Sequence, residues 1–268
     1  MFLVTGATGV VGREVVRLLV AKGADVAAVT RNARPDLPDA ARRVHPDDLR
    51  TLGDLDGVLI SPRAAGARLA DIPTRARRVV TLSAVTVQEP VGQARFREEF
   101  HRVERAVTKE EWAWTILRCT DFAANSLAWA GQIRHGGSVR GAYPAARTST
   151  VDERDVAAVA TLALTEPDHA GCSYVLTGEE SLSQSDKVAA IGAAIDRALA
   201  FVEVAPADVR RGMLAAGLPE EMPERLLGSL ADYARRPGPT TDTVRRLLGR
   251  PARSFAGWAT DHSAAFAG

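Results

Sequence analysis

The first twelve residues, MFLVTGATGVVG, place three glycines at a spacing that can bind a ligand without any reactive side chain: Gly6-x-x-Gly9-x-x-Gly12. Glycine accepts the backbone angles of a tight turn, and its missing Cβ lets an anion or a neighbouring segment come close. Behind the last glycine, Val11, Val15, Leu18 and Leu19 recur with the period of an apolar helix face. A helix start offers free N–H groups and the positive end of the helix dipole, both of which favour phosphate. Apolar run, glycine turn and helix together open a dinucleotide-binding βαβ unit. The pyrophosphate is expected on the backbone of Gly6, Thr8, Gly9, Val10, Val11 and Gly12. A glycine-rich turn of an unrelated α/β protein is the plainer alternative, and the flanking strand and helix argue against it.

Arg31 closes the second apolar run, Asp25 to Thr30. It stands about 20 residues beyond the glycines, where NAD-binding proteins hold an acid for the ribose hydroxyls. No acid occurs between Thr30 and Arg34. An arginine there suits a 2′-phosphate, so the expected cofactor is NADP(H), with Arg13 and Arg34 near enough to help. The competing reading is a solvated arginine in an arginine-rich chain.

The elements that must position these groups alternate. Further strands are expected around Val44, at Gly57 to Ser61, Val79 to Ser83, Trp114 to Arg118 and Tyr174 to Thr177. Helices are expected at Asp47 to Leu52 and Ala64 to Ala76, over a stretch that sets Phe96, Phe100, Val103 and Val107 on one face, and at Asp155 to Leu164. Without two-residue hairpin turns, this order predicts an α/β fold: a Rossmann-type doubly wound parallel sheet. Ser61 and Ser83 then fall at C-terminal strand ends, the ligand-binding edge of such sheets. Ser83 is a candidate contact for nicotinamide or substrate, although a strand-end cap would look the same. Asp47 is placed near the adenine edge.

From Ser181 the character changes. Ser183-x-x-Asp186 resembles a capping box for a helix from Gln184 to Arg197. A short strand, Phe201 to Val204, is followed by helical patterns at Pro206 to Ala216, Pro219 to Arg235, Thr241 to Leu248 and Phe255 to Phe266. The expected division is an NADP-binding Rossmann domain over 1–180 and a smaller, mostly helical substrate lobe over 181–268. Met213, Leu214, Leu218, Met222, Leu226, Leu227, Leu230 and Tyr233 give that lobe more apolar surface than a helix pair needs for itself. Part of it is expected to line a pocket; the alternative is that it only glues the lobe in place.

Bulk properties exclude several classes. The 268 residues are 46% hydrophobic and 25% charged, with a net charge of +1. That balance gives no reason to expect nucleic acid or an anionic membrane as partner. No apolar run is long enough to span a bilayer, and a chain that opens on a strand is expected to carry no signal peptide. Cys119 and Cys172 are too few for a disulfide framework, and the five histidines show no metal-ligand spacing. A cytoplasmic, metal-free protein acting on a small molecule is expected.

Thr5-Gly6-Ala7-Thr8-Gly9-Val10-Val11-Gly12 resembles the fingerprint of extended and atypical short-chain dehydrogenase/reductases, the NmrA-like branch in particular. Trp114-Thr115-Ile116-Leu117-Arg118 with Phe122 and Asn125, Asp152 to Ala157, Tyr174 to Gly178 and Gly249-Arg250-Pro251 extend the resemblance over nearly the whole chain. It implies NADP(H) more firmly than any one reaction, because the family contains quinone and azo reductases, isoflavone-type reductases and redox sensors without turnover. Its usual acid is a tyrosine four residues before a lysine, and this chain cannot supply the pair. Tyr143, Tyr174 and Tyr233 are followed at that distance by Arg147, Gly178 and Pro237, and Lys22, Lys109 and Lys187 are preceded by Leu18, Arg105 and Ser183. His101 and Glu104 instead match the branch pattern of a Lys or His three residues before a Glu. His101 is therefore the candidate donor to the nicotinamide ribose or a substrate oxygen, with a surface histidine paired to its neighbour as the alternative. Cys119 stands where the family usually has proline, which implies either a thiol beside the nicotinamide or a small apolar filler. Tyr143, in the loop Gly136 to Ser149, is a candidate substrate contact, or a lid.

The function expected is an NADPH-dependent reductase of a quinone-like or conjugated acceptor, which needs a dedicated acid less because it delocalises the incoming charge. Two alternatives stay open: an NADP(H) sensor that signals to a protein partner, and a non-redox cyclase or isomerase on the same fold.

Overall fold

The computed structural model of the chain describes residues 1–32, 35–62, 76–89, 91–109 and 111–267. Its strands in chain order are β1 (Phe2–Val4), β2 (Val26–Val29), β3 (Arg42–Val44), β4 (Gly57–Ile60), β5 (Arg78–Ala84), β6 (Ala113–Cys119), β7 (Ser138–Gly141), β8 (Arg147–Thr148), β9 (Cys172–Leu176), β10 (Leu182–Ser183) and β11 (Ala200–Glu203). They belong to two compact units. One comprises Met1–Ala84, Glu99–Cys119 and Glu153–Leu176; the other comprises Val85–Glu98, Thr120–Asp152 and Thr177–Gly268. The boundary expected at residue 180 falls inside the last of these segments.

The first unit is a parallel sheet in the order β3-β2-β1-β4-β5-β6-β9. The chain runs outward from β1 to β3 and then returns to β4 on the other side of β1. The switch point of a doubly wound sheet therefore lies between β1 and β4, where ligands bind at the carboxyl ends. β2 and β4 read VAAV and GVLI because every residue in them is buried, as in a parallel sheet covered on both faces. β3 carries two exposed arginines, which the rim of a sheet accepts; this is why its sequence pattern is weak. Leu3, Ala27, Val58 and Val79 pack with Val103 and Val107 of the helix Ala94–Lys109. The helix Val10–Ala21 lies beside the helix Glu153–Thr165, whose alanines 157, 160 and 163 are buried. The helix expected at Asp47 to Leu52 is a 3₁₀ segment, Pro46–Thr51. The helix expected over Ala64 to Ala76 falls almost wholly outside the described residues, and Arg34 is outside them too.

The second unit is built on helices and two small sheets, β10 antiparallel to β8 and β11 parallel to β7. Its core joins Ile133, Val139, Val188 and Ile191 to Phe255, Trp258 and Phe266. Trp258 stacks on Phe255 and on His262. The capping box forms as expected, with Ser183 accepting from the Asp186 N–H and the Asp186 carboxylate accepting from the Ser183 N–H. The helix it opens, Gln184–Ala194, stops short of Arg197, and Asp196 is left-handed at φ 52°. The helical run expected from Phe255 to Phe266 is two helices, Phe255–Asp261 and Ser263–Phe266, divided at His262.

Candidate functional site

At the switch point the glycines form a close-packed turn. Gly6 has φ 65°, and its carbonyl accepts the Gly9 N–H at 2.9 Å. A Cβ on Gly12 would lie 2.2 Å from the Gly6 carbonyl oxygen, so no larger residue fits there without moving backbone. The helix Val10–Ala21 starts on Gly9, with no side-chain cap and no acid in its first turn. Its first N–H groups thus keep the anion-binding character of an uncapped helix start. Thr8 and Val10 are exposed on this turn, whereas Val11 is buried beneath it. Thr5 anchors the turn to β4: its hydroxyl donates to the Leu59 carbonyl at 2.9 Å and accepts the Ser61 N–H at 2.8 Å. Ser61 is therefore held through its backbone at the mouth of the crevice.

Arg31 is exposed two residues past β2, where the sequence placed it. Arg13 leans back over the glycine turn. Its Nη2 donates to the Thr8 carbonyl at 3.3 Å, its Nη1 lies 3.6 Å from Asp36 Oδ2, and its buried Nε has no hydrogen-bond partner among the described residues. The cradle a Cβ would fill and this orphaned guanidinium nitrogen both fit a phosphate-bearing dinucleotide.

At the ends of β5 and β6 the structure assembles a group that the sequence pattern did not reveal. Ser83 and Arg118 are register partners on neighbouring strands. Glu104 reaches both from the helix Ala94–Lys109. The Ser83 hydroxyl donates to Glu104 Oε1 at 2.6 Å, Arg118 Nε to the same oxygen at 3.0 Å, and Arg118 Nη2 to Oε2 at 2.7 Å. Burial alone would push the Glu104 carboxyl up; the Arg118 and Ser83 hydrogen bonds and the charges of Arg118 and His101 outweigh it and hold the group below the usual carboxylate range. The Arg118 guanidinium is raised, chiefly by its bond to Glu104. The Ser83 hydroxyl proton is therefore engaged by Glu104, and the hydroxyl can offer only lone pairs outward. The one available signal was Arg118 itself, a charge closing an apolar strand, which has to find a partner.

His101 is half-buried, one helical turn before Glu104 on the same helix. Cys119 is buried between register partners Ala84 and Leu176. Burial pushes its thiol up to about 12.

In the second unit Tyr143 is half-buried with φ 57°, a left-handed backbone that is unusual for an aromatic residue and more so before a proline. Its carbonyl accepts the Ala146 N–H at 3.0 Å and closes a turn through Pro144. Nearby in this unit is a polar cluster unforeseen from the sequence. Lys187, 2% exposed, donates to Asp121 Oδ2 at 2.8 Å and to Thr148 Oγ1 at 2.7 Å, and Thr150 donates to Asp121 Oδ2 at 2.7 Å. Tyr233 is buried, and burial together with the Asp121 charge raises its phenol. The helices Pro206–Ala215 and Glu221–Arg235 bury only Pro223 and Tyr233; Leu226 is 44% exposed on the second helix, and Leu218, in the connection between the two, is 40% exposed.

The NAD dependent epimerase/dehydratase family model matches residues 2–66. The chain is similar, at 34% identity over all of its length and 99% of the relative, to a (4-alkanoyl-5-oxo-2,5-dihydrofuran-3-yl)methyl phosphate reductase of Streptomyces griseus. It is 31% identical to the NAD(P)H azoreductase of Xenophilus azovorans, covering 99% of both chains. Its fold matches that of a quinone oxidoreductase from Escherichia coli solved with NADPH, at a TM-score of 0.79 and 18% identity over 97% of this chain and 99% of the other.

Proposed function

The chain belongs to the NmrA-like branch of the atypical short-chain dehydrogenase/reductases, and from that membership we propose that it is an NADPH-dependent reductase of a quinone-like or conjugated small molecule. The observation that carries this reading is the glycine cradle, with Gly12 in contact with Gly6 and the orphaned Arg13 Nε above it. The backbone of Gly6, Thr8, Gly9, Val10, Val11 and Gly12 would hold the pyrophosphate, Arg13 and Arg31 the 2′-phosphate, and Ser61 the crevice wall. Bound NADPH would supply hydride. The named substrates of both relatives, an azo compound and an alkanoyl furanone phosphate, are conjugated and electron-poor. Such acceptors spread the incoming charge, which fits a chain that has no Tyr-x-x-x-Lys pair.

His101 is the residue we assign to proton delivery, through a ring nitrogen. Ser83 is assigned an accepting role, because its only proton is committed to Glu104. Cys119 shapes the wall without reacting. Tyr143 is assigned to substrate contact, on the ground that a strained backbone persists where the surroundings impose it. The reading is tested by following NADPH absorbance with a panel of quinones and azo dyes. Catalytic, acceptor-dependent oxidation supports it; binding of NADPH with no turnover of any acceptor would turn the assignment towards a sensor.

A further inference from the structure

A carboxylate of the protein's own stands beside Arg13 and Arg17, at the corner where a 2′-phosphate is proposed to bind. Asp36, in the segment that follows β2, presents one carboxylate oxygen, Oδ2, to Arg13 Nη1 at 3.6 Å and to Arg17 Nη2 at 3.4 Å. These two arginines sit one turn apart on the helix that opens at Gly9. The carboxylate thus bridges the glycine-turn helix to the segment carrying Arg31, which is where the ribose end of a dinucleotide lies in this fold. The hold is loose. Both distances are longer than a normal charge-assisted bond, Asp36 is 76% exposed, and Arg13 Nε has no acceptor among the described residues. Arg17 is shared with Glu14, whose Oε1 lies 2.8 Å from Nη1.

A phosphate is better suited to this place. It carries nearly twice the charge of a carboxylate and three oxygens arranged to meet several N–H groups together. Its separate oxygens could meet Arg13 Nη1 and Arg17 Nη2 each at normal hydrogen-bond length, which the single oxygen of Asp36, 3.6 and 3.4 Å away, does not do. Resting on the NADP(H) reading above, we propose that Asp36 is a built-in counter-anion that the 2′-phosphate displaces from Arg13 and Arg17, so that Asp36 sets how strongly the protein prefers NADP(H) to NAD(H). Without the 2′-phosphate the carboxylate stays where it is and the arginine corner adds nothing to binding. With it, part of the attraction is spent on breaking the Asp36 contacts.

The test measures binding, with no acceptor present. Dissociation constants of adenosine 2′,5′-bisphosphate and adenosine 5′-monophosphate are compared by calorimetry for the wild type and Asp36→Asn. The variant should bind the bisphosphate roughly two- to five-fold more tightly, the range expected for release of exposed ion pairs, and the monophosphate unchanged. The gain should shrink in high salt. An unchanged or weaker affinity for the bisphosphate overturns the proposal, and so does an equal gain for both ligands. Weaker binding of the monophosphate would make Asp36 a ribose-hydroxyl acceptor instead. A wild type that does not distinguish the two ligands refutes the NADP(H) reading itself; a wild type that distinguishes them, with an unresponsive Asp36→Asn, refutes the role of Asp36 alone.

Discussion

Arg118 and Glu104 are joined by two parallel hydrogen bonds, Nε to Oε1 and Nη2 to Oε2, with Ser83 adding a third to the same carboxylate. The pair ties strand β6 to the helix that carries His101, so the position of the proposed proton donor depends on a buried charge being balanced. Glu104→Gln would leave the Arg118 guanidinium, 16% exposed, without its counter-charge. Breaking such a pair from one side costs about 3–5 kcal/mol, and urea unfolding should show a loss of that order. The pH dependence has a defined sign. Glu104 is held below its usual value near 4.3, so its contribution to stability is complete above that value and disappears as pH falls through the folded-state value. Acid unfolding of Glu104→Gln should therefore be less steep than that of the wild type across this window.

Gly12→Ala puts a Cβ 2.2 Å from a backbone oxygen that cannot swing away. The turn must open, at a cost of roughly 1–3 kcal/mol or more. Thermal denaturation should show the loss, and NADPH should no longer raise the melting temperature. A variant that melts like the wild type and is still stabilised by NADPH would contradict the packing described for the cradle.

Arg31→Asp replaces the proposed 2′-phosphate partner by an acid of the NAD-binding type. A charge-assisted hydrogen bond contributes about 1.5–3 kcal/mol, so NADPH affinity should fall roughly 10- to 100-fold. Calorimetry on both proteins decides this, and equal wild-type affinities for NADPH and NADH would count against the assignment.

The two cysteines should behave differently towards alkylating reagents. Burial pushes the Cys119 thiol up to about 12, which leaves almost no thiolate at neutral pH. Cys172 is only half-buried. Mass spectrometry after native iodoacetamide treatment should find Cys172 modified first, with Cys119 following only on unfolding.

His101→Ala should lower kcat by about 100-fold or more if the imidazole delivers the proton, with NADPH affinity unchanged. Tyr174→Phe and Tyr233→Phe should stay within a few-fold of wild type. Tyr174 spends its hydroxyl on His169 Nδ1, at 2.9 Å, and the raised Tyr233 phenol keeps its proton. Steady-state kinetics separates the cases, and a silent His101→Ala beside an inactive tyrosine variant would reverse the assignment.

The glycine turn, the buried strands and the capping box at Ser183 were legible because their causes lie within a few residues of each other. β7 was not, since its pairing partner β11 lies about sixty residues on and its sequence, SVRG, shows no alternation. The Ser83–Glu104–Arg118 group and the Lys187–Asp121 cluster escaped for the same reason. Each joins residues that are far apart in the chain, and only the sheet register or a folded loop brings their charges together. His262 shows the opposite failure: the apolar period of Phe255 to Phe266 is real, yet the chain divides there into two helices that both feed one core.

The backbone passes between the two units five times before it ends. During synthesis, all seven strands of the large sheet have been made once Leu176 emerges, while Ile133 and Val139 still await Phe255, Trp258 and Phe266. A nascent chain of about 180 residues therefore carries a finished sheet and an uncovered apolar surface together. Transiently exposed apolar surface of this kind favours aggregation, so translation stalled near residue 180 is expected to yield a less soluble product than the full chain.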